Sequence, residues 1–544
     1  MTAGVRLLLA AGVLAGTAGC GERAASARRA APPSAALRFV DAAGAAGIRF
    51  LHTDGGSGRH YFNEQIGSGC AFLDYDNDGR VDLYAVSGAP LPGFHKAGRF
   101  RHELFRNEGG GRFRQATDEA GLGSTRYGHG VCAGDFDNDG WTDLFVASYG
   151  RCHLYRNDRG RFRDVADRAG VAGDGGLHTS AAFLDYDNDG DLDLYVCRYV
   201  QWRLEEDRWC GKSRLKKSYC GPEVYPARRD SLFRNNGDGT FTDVAATAGI
   251  AQRRSKSLGV VPADVNDDGW PDLYVACDLE PNLLFINQGN GTFREEGVVQ
   301  GVAFGQDGAA EAGMGVASGD YDRDGRLDLF VTNYSYEMYG LYRNAGGGLF
   351  TYESVRTGIG PPTLLPLGFG TRFGDFDNDG WPDLIVANGH VLDDVKEGNE
   401  ALEYAQPLML LMNAQGRRFR DMSAAAGPAF AAKHVGRGLA IADYDEDGRL
   451  DCAVNNVNGP LRLVRNESTV RGGWLALRLE GTRSNRDAIG ARVRVRTGTS
   501  WQTAEVVSGG SYLSQSDLRL HFGLGETGQA DEVRVRWPGA RGRP

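Results

Sequence analysis

Seven copies of one acidic nonapeptide carry the clearest chemistry in the chain. They read DYDNDGRVD from Asp74, DFDNDGWTD from Asp135, DYDNDGDLD from Asp185, DVNDDGWPD from Asp264, DYDRDGRLD from Asp320, DFDNDGWPD from Asp375 and DYDEDGRLD from Asp443. Side-chain oxygens at positions 1, 3, 5 and 9 can converge on one cation, position 7 offers its carbonyl, and glycine at position 6 permits the sharp turn. The ligand sets are then Asp74, Asp76, Asp78 and Asp82; Asp135, Asp137, Asp139 and Asp143; Asp185, Asp187, Asp189 and Asp193; Asp264, Asn266, Asp268 and Asp272; Asp320, Asp322, Asp324 and Asp328; Asp375, Asp377, Asp379 and Asp383; and Asp443, Asp445, Asp447 and Asp451. Hard oxygen ligands in that number suit Ca²⁺, whereas Mg²⁺ demands a stricter octahedron and more water. Up to seven Ca²⁺ ions are expected, with the Asp264 copy the weakest because Asn266 replaces a carboxylate. A helical calcium hand would need a bidentate Glu at position 12, and here that position is Ala85, Val146 or Val196 inside an apolar run of strand character. Asp and Gly are also common in turns that bind no metal. Seven copies with the same ligand positions argue against that simpler reading.

Such loops need a scaffold that repeats with them. The first residues of successive copies are 61, 50, 79, 56, 55 and 68 apart. A cassette such as FRQATDEAGL from Phe113, FRDVADRAGV from Phe162 or FTDVAATAGI from Phe241 precedes a copy, and a strand-like LYAV, LFVAS or LYVCR follows. A second strand then ends in Arg-Asn, as in LFRN at Leu104, LYRN at Leu154 and LFRN at Leu232. Short alternating strands between Gly-rich turns make the unit all-β, and self-similarity at this period marks an array whose units bury surface against each other. The predicted fold is an all-β, seven-bladed β-propeller. Residues 39–48 form a cassette with no preceding repeat, while the last repeat ends at 461–466 with no following cassette. A ring in which the N-terminal strand completes the last blade would remove an exposed sheet edge.

The chain has 544 residues and a net charge of −10, so global electrostatics do not favour nucleic acid, and none is expected as a partner. Its start, MTAGVRLLLAAGVLAGTAGC, places one positive charge before a short apolar run. That run is too short for a bilayer span of about 20 residues and reads as the core of a secretory signal, residues 1–19. Thr17, Ala18 and Gly19 lead into Cys20, which resembles a bacterial lipobox, so Cys20 is the expected lipidation site. Residues 20–37 are rich in Ala, Arg and Pro and read as a flexible tether. The expected location is the bacterial cell envelope, with lipid as the sole membrane contact.

The repeats resemble FG-GAP/VCBS repeats of integrin-type propellers, here over 38–467. WLALRLEGTRSNRDAIGARVRVRTG from Trp474, SGGSYLSQSDLRLHFGLG over 508–525 and VRVRWPG over 533–539 resemble the ASPIC/UnbV domain, here 468–544. Together they are similar to the cartilage acidic protein family in its bacterial form. Read directly, that block is also β-rich, since Val493, Val495, Val533, Val535 and Trp537 alternate with polar residues. The family pattern implies a further strand past Trp537.

Cys210 and Cys220 flank the basic insertion CGKSRLKKSYC and form the best disulfide candidate. The insertion is either a solvated loop or an anionic docking patch. Glu64, His129, His178 and His434 precede their calcium loops by ten, six, seven and nine residues. At about 3.3 Å per residue they lie about 20–30 Å away, at the opposite mouth of the channel. There, with His390, they either converge as a transition-metal or ligand site or cap strand starts separately. No nucleophile elbow, HExxH, P-loop or dinucleotide fingerprint is present. A calcium-rigidified module that recognises protein or glycan through a propeller face is therefore the leading expectation. A metalloenzyme at the channel mouth is the alternative, and a purely structural envelope component is a third reading.

Overall fold

The computed structural model describes residues 37–211, 216–469 and 472–539. The signal segment, Cys20 and all of the tether but Leu37 lie outside the described residues. Seven four-stranded antiparallel sheets follow one another around an axis. Each begins at the axis with an inner strand, such as Gly128–Gly134 in blade two or Gly368–Gly374 in blade six. The nonapeptide turns the chain into a second strand, and two further strands lead outward. The second strands are apolar runs such as DLFVAS over Asp143–Ser148, buried at all six positions because blades stack on both faces. The outermost strands alternate differently. Phe162–Asp164 buries only its Phe, since its other face meets solvent.

The cassettes are this outer strand followed by one helical turn. Thr117–Ala120, Ala166–Ala169 and Gly297–Gln300 each end on a glycine in the left-handed region, at φ 80°, 80° and 82°. The ring closes as its two ends suggest. Phe39–Asp41 is the outer strand of blade seven, pairing Phe39 with Asn466 and Asp41 with Val464.

The C-terminal block does more than follow the propeller. Gly473–Leu477 pairs with Leu520–Gly525, and Arg492–Thr497 lies between Ser500–Glu505 and Glu532–Arg536. Val493 and Val495 are fully buried, but Val533 is exposed, so the alternation read from sequence holds on the central strand and weakens at the edge. Between these strands, residues 508–517 run into the channel and bond to the inner strand of every blade. Gln515 N donates to Cys70 O (3.0 Å), Val131 N to Leu513 O (3.0 Å), and Leu513 N to Ser180 Oγ (3.1 Å). Gly510 N donates to Val260 O (3.0 Å), and Ser511 exchanges backbone bonds with Val316 (2.6 and 2.9 Å). Ser511 Oγ accepts from Thr371 N (3.0 Å) and donates to Leu439 O (2.8 Å). The axis is thus filled by a polar segment whose small side chains complete the edges of all seven sheets.

Tightness at that neck falls on glycine. A Cβ on Gly69 would lie 1.6 Å from Leu513 O, against backbone that cannot yield. We predict that Gly69→Ala displaces the plug, costs at least about 3 kcal/mol of unfolding free energy, and makes the C-terminal domain the first target of limited proteolysis. An unchanged melt and cleavage pattern would refute this reading of the neck.

Candidate metal centres

Each nonapeptide folds around its first residue. In blade two, Asp135 Oδ1 accepts from Asp139 N (3.0 Å) and Oδ2 from Gly140 N (2.7 Å). Position 9, Asp143, accepts from Phe136 N (3.1 Å) and from Asn157 N (2.6 Å) in the third strand. The same pair of bonds recurs at Asp82, Asp193, Asp272, Asp328, Asp383 and Asp451. Position 4 adopts left-handed backbone in all seven loops, from Asn77 (φ 55°) to Asp267 (φ 62°), a conformation that Asn and Asp tolerate best. These constraints aim carboxylates at a common point. Ligand oxygens within 4.8 Å of one another occur in Asp74/Asp76/Asp78, Asp135/Asp137/Asp143, Asp185/Asp187/Asp193, Asp320/Asp322/Asp328 and Asp375/Asp377/Asp383.

Two observations test whether a cation fits. Oδ1 of Asp76, Asp137, Asp187 and Asp445, all at position 3, is buried and receives no hydrogen bond. Buried carboxylate oxygens without a donor are costly unless a cation faces them. Burial, then neighbouring carboxylates, push the Asp185 and Asp320 pKa values up to about 7, and burial raises Asp143 and Asp193 strongly. Oxygen-only donors, mutual repulsion and unpaired buried lone pairs fit Ca²⁺, which would be held by positions 1, 3, 5 and 9. The fourth loop differs. Asn266 is absorbed by bonds to Asp268 (2.8 and 3.1 Å), and Arg536 pairs with Asp264.

The Arg-Asn mark of the third strand, noted in sequence without a role, turns out to serve these loops. Arg106 Nε meets Asp76 Oδ2 at 2.6 Å, and Arg156 and Arg343 hold Asp139 and Asp324 at 3.0 and 2.8 Å. They fix the outward oxygens, so the inward ones stay aimed. The adjacent Asn staples blades together. Asn157 Nδ2 donates to Thr142 O in its own loop and to Tyr75 O (2.8 Å) in the preceding one, and Asn107 Nδ2 reaches Tyr444 O (2.8 Å), closing the ring from blade one to blade seven. At position 4, Asn77, Asn138, Asn188 and Asn378 donate forward to Gly140, Gly190, Gly269 and Gly448 O. Fivefold recurrence of Arg-Asn, with the Asn alone kept at Asn287 and Asn413, was the available signal.

Glu64, His129, His178, His390 and His434, read from sequence either as one site or as separate caps, each make contacts of their own. His129 donates from Nδ1 to His178 O (2.9 Å), and burial lowers its pKa to about 4. His178 donates from Nδ1 to Ser148 O (2.9 Å) and places Nε2 3.4 Å from Asp174. Burial alone would lower the His178 pKa, but the Cys152 sulfur and the Asp174 carboxylate outweigh it and raise it to about 9. His178 Nε2 thus faces the Asp174 carboxylate, which favours its protonated form over a metal-binding one. His390 Nδ1 accepts from Leu392 N (3.0 Å), which puts its proton on Nε2. His434 has Arg462 and Asp41 as its charged neighbours. Glu64 accepts from Tyr219 Oη (2.8 Å) in the basic insertion, and burial raises its pKa to about 7. Inner-strand side chains project to different faces as offsets change, which separates residues that simple distance along the chain placed together. Cys210 and Cys220 are joined, with Cα atoms 5.2 Å apart, while Cys70, Cys132, Cys197, Cys277 and Cys452 are buried free thiols.

The FG-GAP-like repeat profile matches residues 74–146, 135–196, 224–275, 264–331 and 320–386, together more than half of the chain. The ASPIC and UnbV profile matches 481–543. Cartilage acidic protein 1 from Mus musculus is 29% identical over 309 residues, covering 54% of this chain and 44% of that protein, and the Homo sapiens protein of that name is 28% identical over 308 residues, covering 54% and 43%. The match thus spans under half the length of these curated relatives. Among solved structures, the BP39L lectin from Burkholderia pseudomallei aligns with a TM-score of 0.43 at 11% identity, over 73% of this chain and 95% of that one.

The loop electrostatics set a pH dependence. Without calcium, Asp135, Asp185, Asp320 and Asp443 have folded pKa values of about 7, above an unfolded value of about 3.9. Their protonated forms suit the fold, so stability present at low pH is lost as pH rises through 7. Chelated protein should melt at least about 5 °C higher at pH 6 than at pH 8, and the gain on adding calcium should be larger at pH 8. Calorimetry at the two pH values checks both signs.

Proposed function

The chain belongs to the FG-GAP-like repeat family, and we propose that it is a calcium-rigidified extracytoplasmic module that binds protein or glycan through the propeller face opposite its calcium loops. One observation carries this choice of face: the C-terminal domain covers the calcium side. Asp135 N donates to Asp487 (2.7 Å), Arg478 meets Asp74 (3.0 Å), Arg492 meets Asp267 (2.8 Å) and His521 meets Asn378 (2.8 Å). The opposite face gathers the long connections 86–102, 199–211 with 216–230, and 389–408. The last two meet through Lys216–Glu397 (2.6 Å), and the segment before blade one joins both through His60–Asp393 (3.4 Å) and Gln65 Nε2 to Cys220 O (3.1 Å), which makes a continuous surface of loops from separate blades. Trp209, beside the disulfide, is 59% exposed there and is the natural aromatic anchor for a partner.

In this reading up to seven Ca²⁺ ions neutralise the loops of Asp74, Asp135, Asp185, Asp264, Asp320, Asp375 and Asp443. They stiffen the base on which the C-terminal domain sits. With about 1 mM free calcium and a Kd near 0.1 mM, each ion contributes about 1.4 kcal/mol, or roughly 10 kcal/mol for seven. The module would be exported and tethered by lipid at Cys20. The reading of a metalloenzyme at the channel mouth has less support, because His178 Nε2 faces Asp174, His390 Nδ1 accepts from Leu392 N, and the charged neighbours of His434 are Arg462 and Asp41.

Two experiments test the proposal. Excess chelator should lower the melting temperature by tens of degrees, and Trp209→Ala should weaken binding to arrayed extracellular proteins or glycans at least tenfold without changing the melt. An unchanged melt in chelator, or binding that survives Trp209→Ala but is lost on changing the calcium side, would overturn it. Separately, Cys20→Ala should move the protein from the membrane to the soluble fraction of a bacterial host. A variant that still sediments with membranes after a salt wash would remove the lipid anchor from the reading.

A further inference from the structure

Three residues before each calcium loop, the inner strand carries a small apolar residue in six blades: Ala71, Cys132, Ala182, Val261, Ala317 and Ala440, each fully buried. In blade six the same position is Arg372, which pairs in register with Ile385 as Cys132 does with Phe145. A guanidinium at a position built for a methyl group is a departure from the repeat that packing does not require.

Among the described residues, no carboxylate, carbonyl or ring partners the Arg372 guanidinium, and burial alone pushes its pKa down to about 10. A Cβ on Gly510 would come within 2.5 Å of Nη1, so the side chain lies against the plug. Unlike its equivalents in the other six blades it keeps some accessible surface, and it lines a cavity of about 410 Å³ between the propeller and the underside of the C-terminal domain. Every other cation on that wall is engaged: Arg323 stacks 4.2 Å over Trp381, Arg478 meets Asp74 at 3.0 Å, and Arg519 meets Asp517 at 2.5 Å. The remaining wall is largely apolar, with Phe72, Phe373, Ile441, Leu450, Leu479 and Phe522. The cavity reaches solvent at Glu446 and Arg478, both exposed.

We propose that this cavity binds a monocarboxylate with an apolar body, its carboxylate on Arg372 and its hydrocarbon against the Phe and Leu wall. The size suits a small-molecule site, and guanidinium and carboxylate match as a two-bonded fork. One unpaired cation selects a single negative charge, since the further charge of a phosphate or polyanion would be buried against Asp487 and an apolar wall without a counter-ion. The site lies on the side away from the loop face proposed for macromolecular partners and stands independently of that proposal.

The test uses calcium-loaded full-length protein and isothermal titration with decanoate below its micelle concentration, decanol and acetate. Decanoate should bind at least tenfold more tightly than either, because decanol lacks the charge and acetate lacks the apolar body. Arg372→Met should erase the difference between decanoate and decanol. It should melt at or above the wild-type temperature, since removing an unpaired buried charge relieves the fold. Equal binding of decanoate and decanol, no binding of decanoate, or undiminished decanoate binding by Arg372→Met would each overturn the proposal. If that variant fails to fold, the three-ligand comparison on wild-type protein decides.

Discussion

The inner strand of each blade pairs with its own sheet on one side and turns its other edge to the axis. Seven such edges meet there, and each presents N–H and C=O groups that cost free energy when buried without partners. Residues 508–517 answer this demand. Their backbone and their Ser and Gln side chains reach Cys70, Val131, Ser180, Val260, Val316, Thr371 and Leu439, one inner strand after another. Such a segment must be polar, narrow and irregular at once, which is why it reads SGGSYLSQS and not as an apolar strand. Glycines at the neck follow from the same constraint, because side chains on Gly69 or Gly315 would meet backbone oxygens at 1.6 and 2.0 Å.

The calcium loops are the second layer of this arrangement. An Asp cluster held together only by its own backbone bonds would spring apart by charge repulsion. Here each cluster is tied backward by the Asn of a third strand, and four of them are also tied forward by an Asn at position 4, so seven loops form one belt. The C-terminal domain is docked on that belt through charges, notably Arg492 with Asp267 (2.8 Å) and Arg478 with Asp74 (3.0 Å). Metal occupancy, blade order and domain docking are thus mechanically one system, with the plug at its centre.

Most of the propeller was legible because its information is local and repeated. The nonapeptides, the outer-strand cassettes and the unmatched ends at Phe39 and Asn466 each state a short-range rule that the ring obeys. The plug was not legible. It has no periodicity, and its partners lie up to 446 residues away, as for Tyr512 Oη and Ile66 O. The roles of Arg106, Asn107 and their equivalents were visible as a pattern but silent as chemistry, since only the packed ring shows which loop each reaches. The histidines stayed open between two readings for the opposite reason. Their offsets give a distance along the strand, but side-chain direction and hydrogen-bonding tautomer decide chemistry, and neither can be read from an offset.

The strand Phe39–Asp41 has a consequence in time. During synthesis or export it emerges first, yet its partner Arg462–Asn466 emerges after six blades have been made. The nascent chain therefore carries an orphan strand through most of its production, and the seventh sheet is completed only when both ends of the ring are present. The axial segment at 508–517 comes later still, so the first six blades must assemble around a hollow that stays wet until its occupant arrives. Native pairings this distant are reached slowly. By the same token they cannot be released one blade at a time, so the finished ring is slow to open as well as slow to close.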